Sequence, residues 1–262
     1  MTNIHDLQFD DTPAELRFKP YYDGKTPLIE RIPQLVGTDG RSIIKPERVM
    51  ERRTRATEPA KTNWQNTGTH TSLVQITHPD REKTRWFNQH PLTETIKPGC
   101  PPTIDYGLAT TEKDFYFNGA PFATINKRQI QELEKNRYAF TGLREQIWIE
   151  VIAAGDEKLF EEYKTEFEAK TGRTFEQNGM GIYPTLRKGL RLGWLGSFVI
   201  NHSDAISFDG LDGSVGCVFG VASEQKSELE TSIDNAIRDP SAAFTFQGRQ
   251  YRVIPAEKEE QR

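Results

Sequence analysis

Cysteine is scarce in this 262-residue chain. It has two, Cys100 and Cys217, which argues against a small fold stapled by disulfides. Long apolar runs are missing as well. With a mean hydropathy of -0.68 and no apolar stretch near the roughly 18 residues a span requires, no membrane-crossing helix is expected. Excess positive charge is absent, since 34 Lys and Arg against 38 Asp and Glu leave a net charge of -4, and no nucleic-acid partner is expected. There is no phosphate-binding loop, dinucleotide fingerprint or internal repeat. His70, His78 and His90, with Asp80, match no zinc spacing, and His78-Pro79 and His90-Pro91 read as extended turn dipeptides, so no metal is expected. No motif implies a cofactor. The start, Met-Thr-Asn-Ile-His-Asp-Leu-Gln, lacks a basic segment followed by an apolar one, so no secretory leader is expected.

What is present is concentrated between Gly196 and Gly220, which reads GSFVINHSDAISFDGLDGSVGCVFG. An apolar strand ends in His202, a glycine-rich loop follows, and Ser-Val-Gly-Cys opens a second apolar strand. Fifteen residues separate His202 from Cys217, and a folded-back loop would bring them together. Cysteine and histidine are the minimum for thiolate catalysis, because the imidazole takes the thiol proton and the thiolate attacks a carbonyl. On this reading Cys217 is the nucleophile and His202 its base. Gly216 clears an approach for a substrate carbonyl, and Gly210, Gly213 and Gly216 permit a tight backbone whose amides aim at an oxyanion. A plainer reading stands beside it: cysteine is among the most buried residue types, and Cys217 within Val-Gly-Cys-Val-Phe fits strand core.

The segment resembles the active-site signature of the L,D-transpeptidases, the YkuD-type cysteine enzymes of bacterial cell-wall peptide cross-linking. That family shows a strand ending in His followed by Gly or Ser, a loop, and then Ser/Thr-His-Gly-Cys. Here His202-Ser203 matches the first half and Ser214-Val215-Gly216-Cys217 the second. The chain is at least as similar to a divergent phage and secreted group with His-x-Asp-Ala followed by Gly-Ser-x-Gly-Cys-Ile. His202-Ser203-Asp204-Ala205 and Gly213-Ser214-Val215-Gly216-Cys217-Val218 carry that likeness. The resemblance implies a thioester on Cys217, with His202 acting first as base and then as acid and Ser203 or Asp204 orienting the imidazole. It places the Gly216 and Cys217 amides and the Ser214 hydroxyl at the oxyanion. It implies a peptidoglycan peptide stem as substrate, without a cofactor. Two positions depart from the family: Val215 stands where it has histidine, and Phe219 where it has the arginine that meets the substrate carboxylate.

The flanking segments give a coarse organisation. Arg187, Lys188 and Arg191, followed by Trp194, lead into an expected strand over 197–200. Arg187 and Arg191 are candidates for holding the carboxylates of an acidic stem and Trp194 for a cleft wall, while a solvated loop with one anchored tryptophan accounts for them equally. Downstream, Ser223 caps an expected helix bearing Leu229, Ile233 and Ile237, and 243–246 and 251–254 read as a hairpin. From Lys127, the residues Ile130, Leu133, Phe140, Leu143, Ile147 and Val151 form one helical stripe, broken at Gly155-Asp156. A second helix carries Leu159, Phe160, Tyr163 and Phe167 to Thr171-Gly172. Asp114 to Ile125, with Asn118-Gly119, reads as a hairpin. Proline recurs through the first hundred residues, which suits an irregular, partly β segment wrapping another surface. There the basic run 45–55, with Arg48, Arg52, Arg53 and Arg55, reads as a solvated helix or subunit contact.

The expected architecture is α+β. A docking region over 1–104 precedes a mostly β, L,D-transpeptidase-like domain over 105–255 with a helical insertion at 127–171, and a loose charged tail over 256–262 follows. The expected function is a peptidoglycan-modifying cysteine enzyme of the transpeptidase or carboxypeptidase kind. It would reach the cell envelope in a virion or injection particle, with other subunits of that particle as partners. The alternative, which Val215 and Phe219 favour, is a non-catalytic tail or baseplate protein that uses the fold as a scaffold or glycan-binding platform. An intracellular cysteine amidase or peptidase is a third reading.

Overall fold

A computed structural model describes residues 3–96, 105–198, 206–212 and 216–222, together with the strands 243–246 and 249–252. The chain divides into two compact units, Met1–Ala222 and Ser223–Arg262. The larger unit is α+β and centres on a nine-stranded mixed sheet. Its strands are β1 (Phe18–Tyr21), β2 (Ser42–Ile43), β3 (Thr69–Thr77), β4 (Lys83–Phe87), β5 (Phe122–Asn126), β6 (Ile182–Tyr183), β7 (Leu190–Leu195), β8 (Ile206–Asp209) and β9 (Cys217–Val221). In space they run β1-β9-β3-β7-β8-β6, with β2 beside β9 and with β4 joining β3 to β5.

β3 is the strand that positions the site. It pairs antiparallel with β7 and β4 and parallel with β9. All of its residues are buried, as befits a strand covered on both faces. Its Gln75 donates to the Thr185 carbonyl at 2.5 Å and accepts from the Thr185 amide at 3.1 Å, so the buried amide is satisfied. Alternation along the strands feeds two cores. Leu73, Leu195, Cys217 and Phe219 join Trp64, Trp86, Trp148 and Phe167 in one, and Val74, Leu192 and Val218 join Leu28, Ile32 and Phe87 in the other.

Among the described residues the α-helices are α1 (Leu28–Pro33), α2 (Pro46–Arg55), α3 (Ala60–Asn66), α4 (Glu112–Phe115), α5 (Lys127–Lys135), α6 (Thr141–Ile147), α7 (Glu157–Thr171) and α8 (Phe175–Asn178). α7 has the bounds its stripe and caps imply. The Asp156 carboxylate accepts from the Leu159 amide at 2.9 Å, and Gly172 closes the helix at a φ of 68°. α2 packs against α3 and α7. Its Arg53 is wholly buried rather than solvated, and donates to the carbonyls of Trp64, Thr67 and Leu195 and to the Tyr163 hydroxyl.

Several expectations need correction. The first hundred residues supply β1 to β4 and lie within one compact unit with the rest of the sheet, so 1–104 is not a separate docking region. Pro20 is tolerated because β1 ends the sheet order. There the buried Asp10 carboxylate accepts from the amides of Arg17 at 3.0 Å and Phe18 at 3.3 Å. The hairpin expected over 114–125 does not form. Thr111 and Asp114 make a reciprocal capping box that opens α4, and β5 pairs with β4 instead. The stripe from Lys127 is two helices, parted where Asn136 turns extended and Phe140 takes a φ of 53°, and α6 continues as a π-helical turn, Trp148–Ile152.

The smaller unit shows one antiparallel hairpin, β10 (Ala243–Phe246) on β11 (Arg249–Arg252), with Phe246 opposite Arg249. Its second strand starts at 249 rather than 251. The helix expected after Ser223 and the tail over 256–262 lie outside the described residues.

Candidate functional site

β9 opens at Cys217, directly after Gly216, whose φ of 87° falls in the left-handed region that favours glycine. In the parallel β3–β9 pair Thr69 lies opposite Cys217 and His70 opposite Val218. Paired residues share a face and neighbours alternate, so Cys217 and His70 lie on opposite faces of the sheet. The packing agrees, because Cys217 sits in the core of Trp64 and Phe219 while Val218 sits in the other. Cys217 is 3% exposed, and its Sγ lies 3.5 Å from the Val218 carbonyl as a weak donor. Burial pushes the thiol up to about 12, against smaller downward pulls from the Tyr21 backbone amide and the Arg31 guanidinium. Arg31, on α1, is itself buried and donates to the Gly216 carbonyl at 2.6 Å and the Tyr21 carbonyl at 3.1 Å. Burial lowers the Arg31 pKa.

The other face carries an imidazole–carboxylate pair that sequence reasoning missed. The ring of His70 is fully buried, and its Nε2 stands 3.1 Å from Oδ2 of Asp209, the last residue of β8. With the proton on the nitrogen facing the carboxylate, Nδ1 is an acceptor, and it has no hydrogen-bond partner among the described residues. Trp194 lies opposite His70 across β3 and β7. A Cβ on Gly216 would come within 3.1 Å of both His70 Nδ1 and Trp194 Nε1, and one on Gly68 would sit 2.5 Å from the Trp194 ring. The two glycines therefore let backbone close over the histidine and the indole. His70 and Asp209 are 139 residues apart in the chain, and nothing near His70 sets it off from the buried run Thr69–Thr77 around it.

Of the expected site residues, His202, Ser203, Asp204, Gly213 and Ser214 lie outside the described residues. Arg191 is not an open cleft cation. It belongs to β7, is 2% exposed, and donates to the Asp105 carbonyl, which ties the 105–108 segment to the sheet. Of the strand expected over 197–200, Ser197 and Phe198 are not extended into a strand and the Phe198 amide donates to the Gln65 carbonyl at 2.7 Å, while 199–200 lie outside the described residues; the strand that precedes them is β7, Leu190–Leu195. Arg187 is exposed, and Trp194 is half-buried on the His70 face. The three upstream histidines go to separate partners: His70 to Asp209, His78 Nδ1 to Asp80 at 2.7 Å, and His90 Nε2 to the Asp114 carbonyl at 3.2 Å.

No family model, no curated protein and no solved structure matches this chain. Among the described residues, no helix is long and apolar enough to cross a membrane.

Proposed function

We propose that this chain is a non-catalytic scaffold or glycan-binding platform, with Cys217 as a core residue and not a nucleophile. The burial of Cys217 carries this reading. A cysteine residue 3% exposed, with its thiol held at about 12, has almost no thiolate near neutral pH. Its position across the sheet from His70 and Asp209 supports the same reading, because that imidazole–carboxylate pair faces away from the sulfur. A tail, baseplate or contractile particle is the setting proposed from the sequence.

One observation favours the second reading, a cysteine enzyme acting on peptidoglycan peptide stems. The Arg31 guanidinium draws the thiol pKa downward and fixes the Gly216 carbonyl beside it, which is the kind of cationic support a thiolate needs. The test is to incubate the purified protein and its Cys217→Ala variant with bacterial sacculi and to analyse the muropeptides by mass spectrometry. The expected result is no new product from either protein. Products from the parent alone would overturn the scaffold reading and establish the enzyme.

A further inference from the structure

We propose that the cavity of about 500 Å³ between the Ser42–Lys45 stretch and the Gln89–Glu94 turn is a saccharide-binding site. The proposal rests on the glycan-binding reading above and gives it a location. The volume falls in the range of roughly 300–1,000 Å³ usual for small-ligand sites.

The floor of the cavity is already satisfied. Ser72 Oγ donates to the Asn88 carbonyl at 2.9 Å, and Thr93 Oγ1 donates to the His90 carbonyl at 2.8 Å. His90 uses both ring nitrogens, one on the Leu92 amide and one on the Asp114 carbonyl. Arg41 turns its guanidinium away to the carbonyls of Leu16, Arg17 and Gly220. The rim differs. Ser42, Lys45, Gln89 and Glu94 all line the cavity, and none of their side chains has a hydrogen-bond or ion-pair partner among the described residues. Phe117 supplies an apolar wall, held in place by the edge of His90 at 4.8 Å and by Phe87 at 6.1 Å between ring centroids.

The donor and acceptor set selects the ligand class. Gln89 can give and take, Ser42 can do both, Lys45 only gives and ionised Glu94 only takes, so the rim suits a molecule with several hydroxyls, each a donor and an acceptor. The opposite charges of Lys45 and Glu94 balance, and Glu94 would oppose a phosphate or polyanion. An apolar ligand would leave four polar groups without partners. The half-exposed Phe117 offers a flat surface for the C–H face of a sugar ring.

The test uses the full chain and two probes, the trimer of β-1,4-linked N-acetylglucosamine and the trimer of β-1,4-linked glucose, followed by saturation-transfer NMR and calorimetry. Binding of at least one trimer is expected. Gln89→Ala and Glu94→Gln should each weaken it by about three- to tenfold, the loss of one net hydrogen bond, and Cys217→Ala should leave it unchanged. Both rim variants change exposed or half-exposed side chains, and circular dichroism confirms that each is folded. Trimer binding unaffected by Gln89→Ala and Glu94→Gln would overturn the cavity assignment while leaving the glycan-binding reading intact. Failure of both trimers at millimolar concentration would overturn the assignment. Failure of intact sacculi to co-sediment the protein as well would overturn the glycan-binding reading with it.

Discussion

Replacing Cys217 by alanine and by serine separates a core sulfur from a catalytic one. Cys217 packs with Trp64, Phe219 and Leu195 and is 3% exposed. Cys217→Ala removes one buried heavy atom, worth about 0.8 kcal/mol of transfer free energy. A small cavity adds a few tenths, for a loss of about 1 kcal/mol. Cys217→Ser keeps most of the volume but buries a hydroxyl. The Val218 carbonyl lies 3.5 Å from Sγ, too far for a good hydroxyl bond, so the serine costs about 1–3 kcal/mol. Alanine should therefore be the milder change. Urea denaturation followed by the fluorescence of the four tryptophans measures both. A serine variant as stable as the parent, or more stable than the alanine variant, would place Cys217 in a polar pocket and refute the reasoning.

Three further outcomes follow from the packing. The Arg52 guanidinium, bonded at 2.7 and 2.9 Å, holds the Asp11 carboxyl at about 2, below its ordinary 3.8. A depressed pKa contributes stability that is present above 3.8 and lost as pH falls toward 2. Solvent screening leaves about 1 kcal/mol, so Asp11→Asn should lose that amount at pH 7 and flatten the acid limb of the stability profile measured by urea titration. Gly216→Ala should cost about 1–3 kcal/mol through its left-handed backbone, and near-ultraviolet circular dichroism should report a displaced Trp194. Arg53→Ala removes four donor contacts, to the carbonyls of Trp64, Thr67 and Leu195 and to the Tyr163 hydroxyl, and thermal melting should show a loss of about 3–5 kcal/mol. Arg53→Lys should not restore it, because one ammonium cannot span that fork.

Local signals were the legible part of the fold. Asp156 and Gly172 bracket α7, the apolar run after Gly216 gives β9, and alternation gives the β10–β11 hairpin. What sequence reasoning missed depends on partners far along the chain. β7 reads as a basic loop until the Asp105 carbonyl takes the Arg191 guanidinium. α2 reads as solvated until carbonyls from α3 and β7 surround Arg53. Thr111 and Asp114 carried a readable capping box, and the Asn-Gly pair after it pointed to a turn that the β4–β5 pairing did not need. At the site, Cys217 and Gly216 were singled out correctly as neighbours at a strand start, but the pairing of Thr69 with Cys217 decides which way the sulfur faces. No periodicity within a segment carries that register.

The most direct test of the central claim is the alkylation rate of Cys217 against pH, measured with iodoacetamide in a Cys100→Ser background. With the thiol at about 12 instead of the ordinary 9.0, the thiolate fraction at neutral pH is roughly a thousandfold smaller than in the unfolded chain. The account predicts alkylation slower by at least that factor in the folded protein, rising about tenfold per pH unit through pH 10 without a plateau. Rapid alkylation with a plateau below pH 8, falling again as a neighbouring histidine protonates, would contradict it and identify Cys217 as an activated nucleophile.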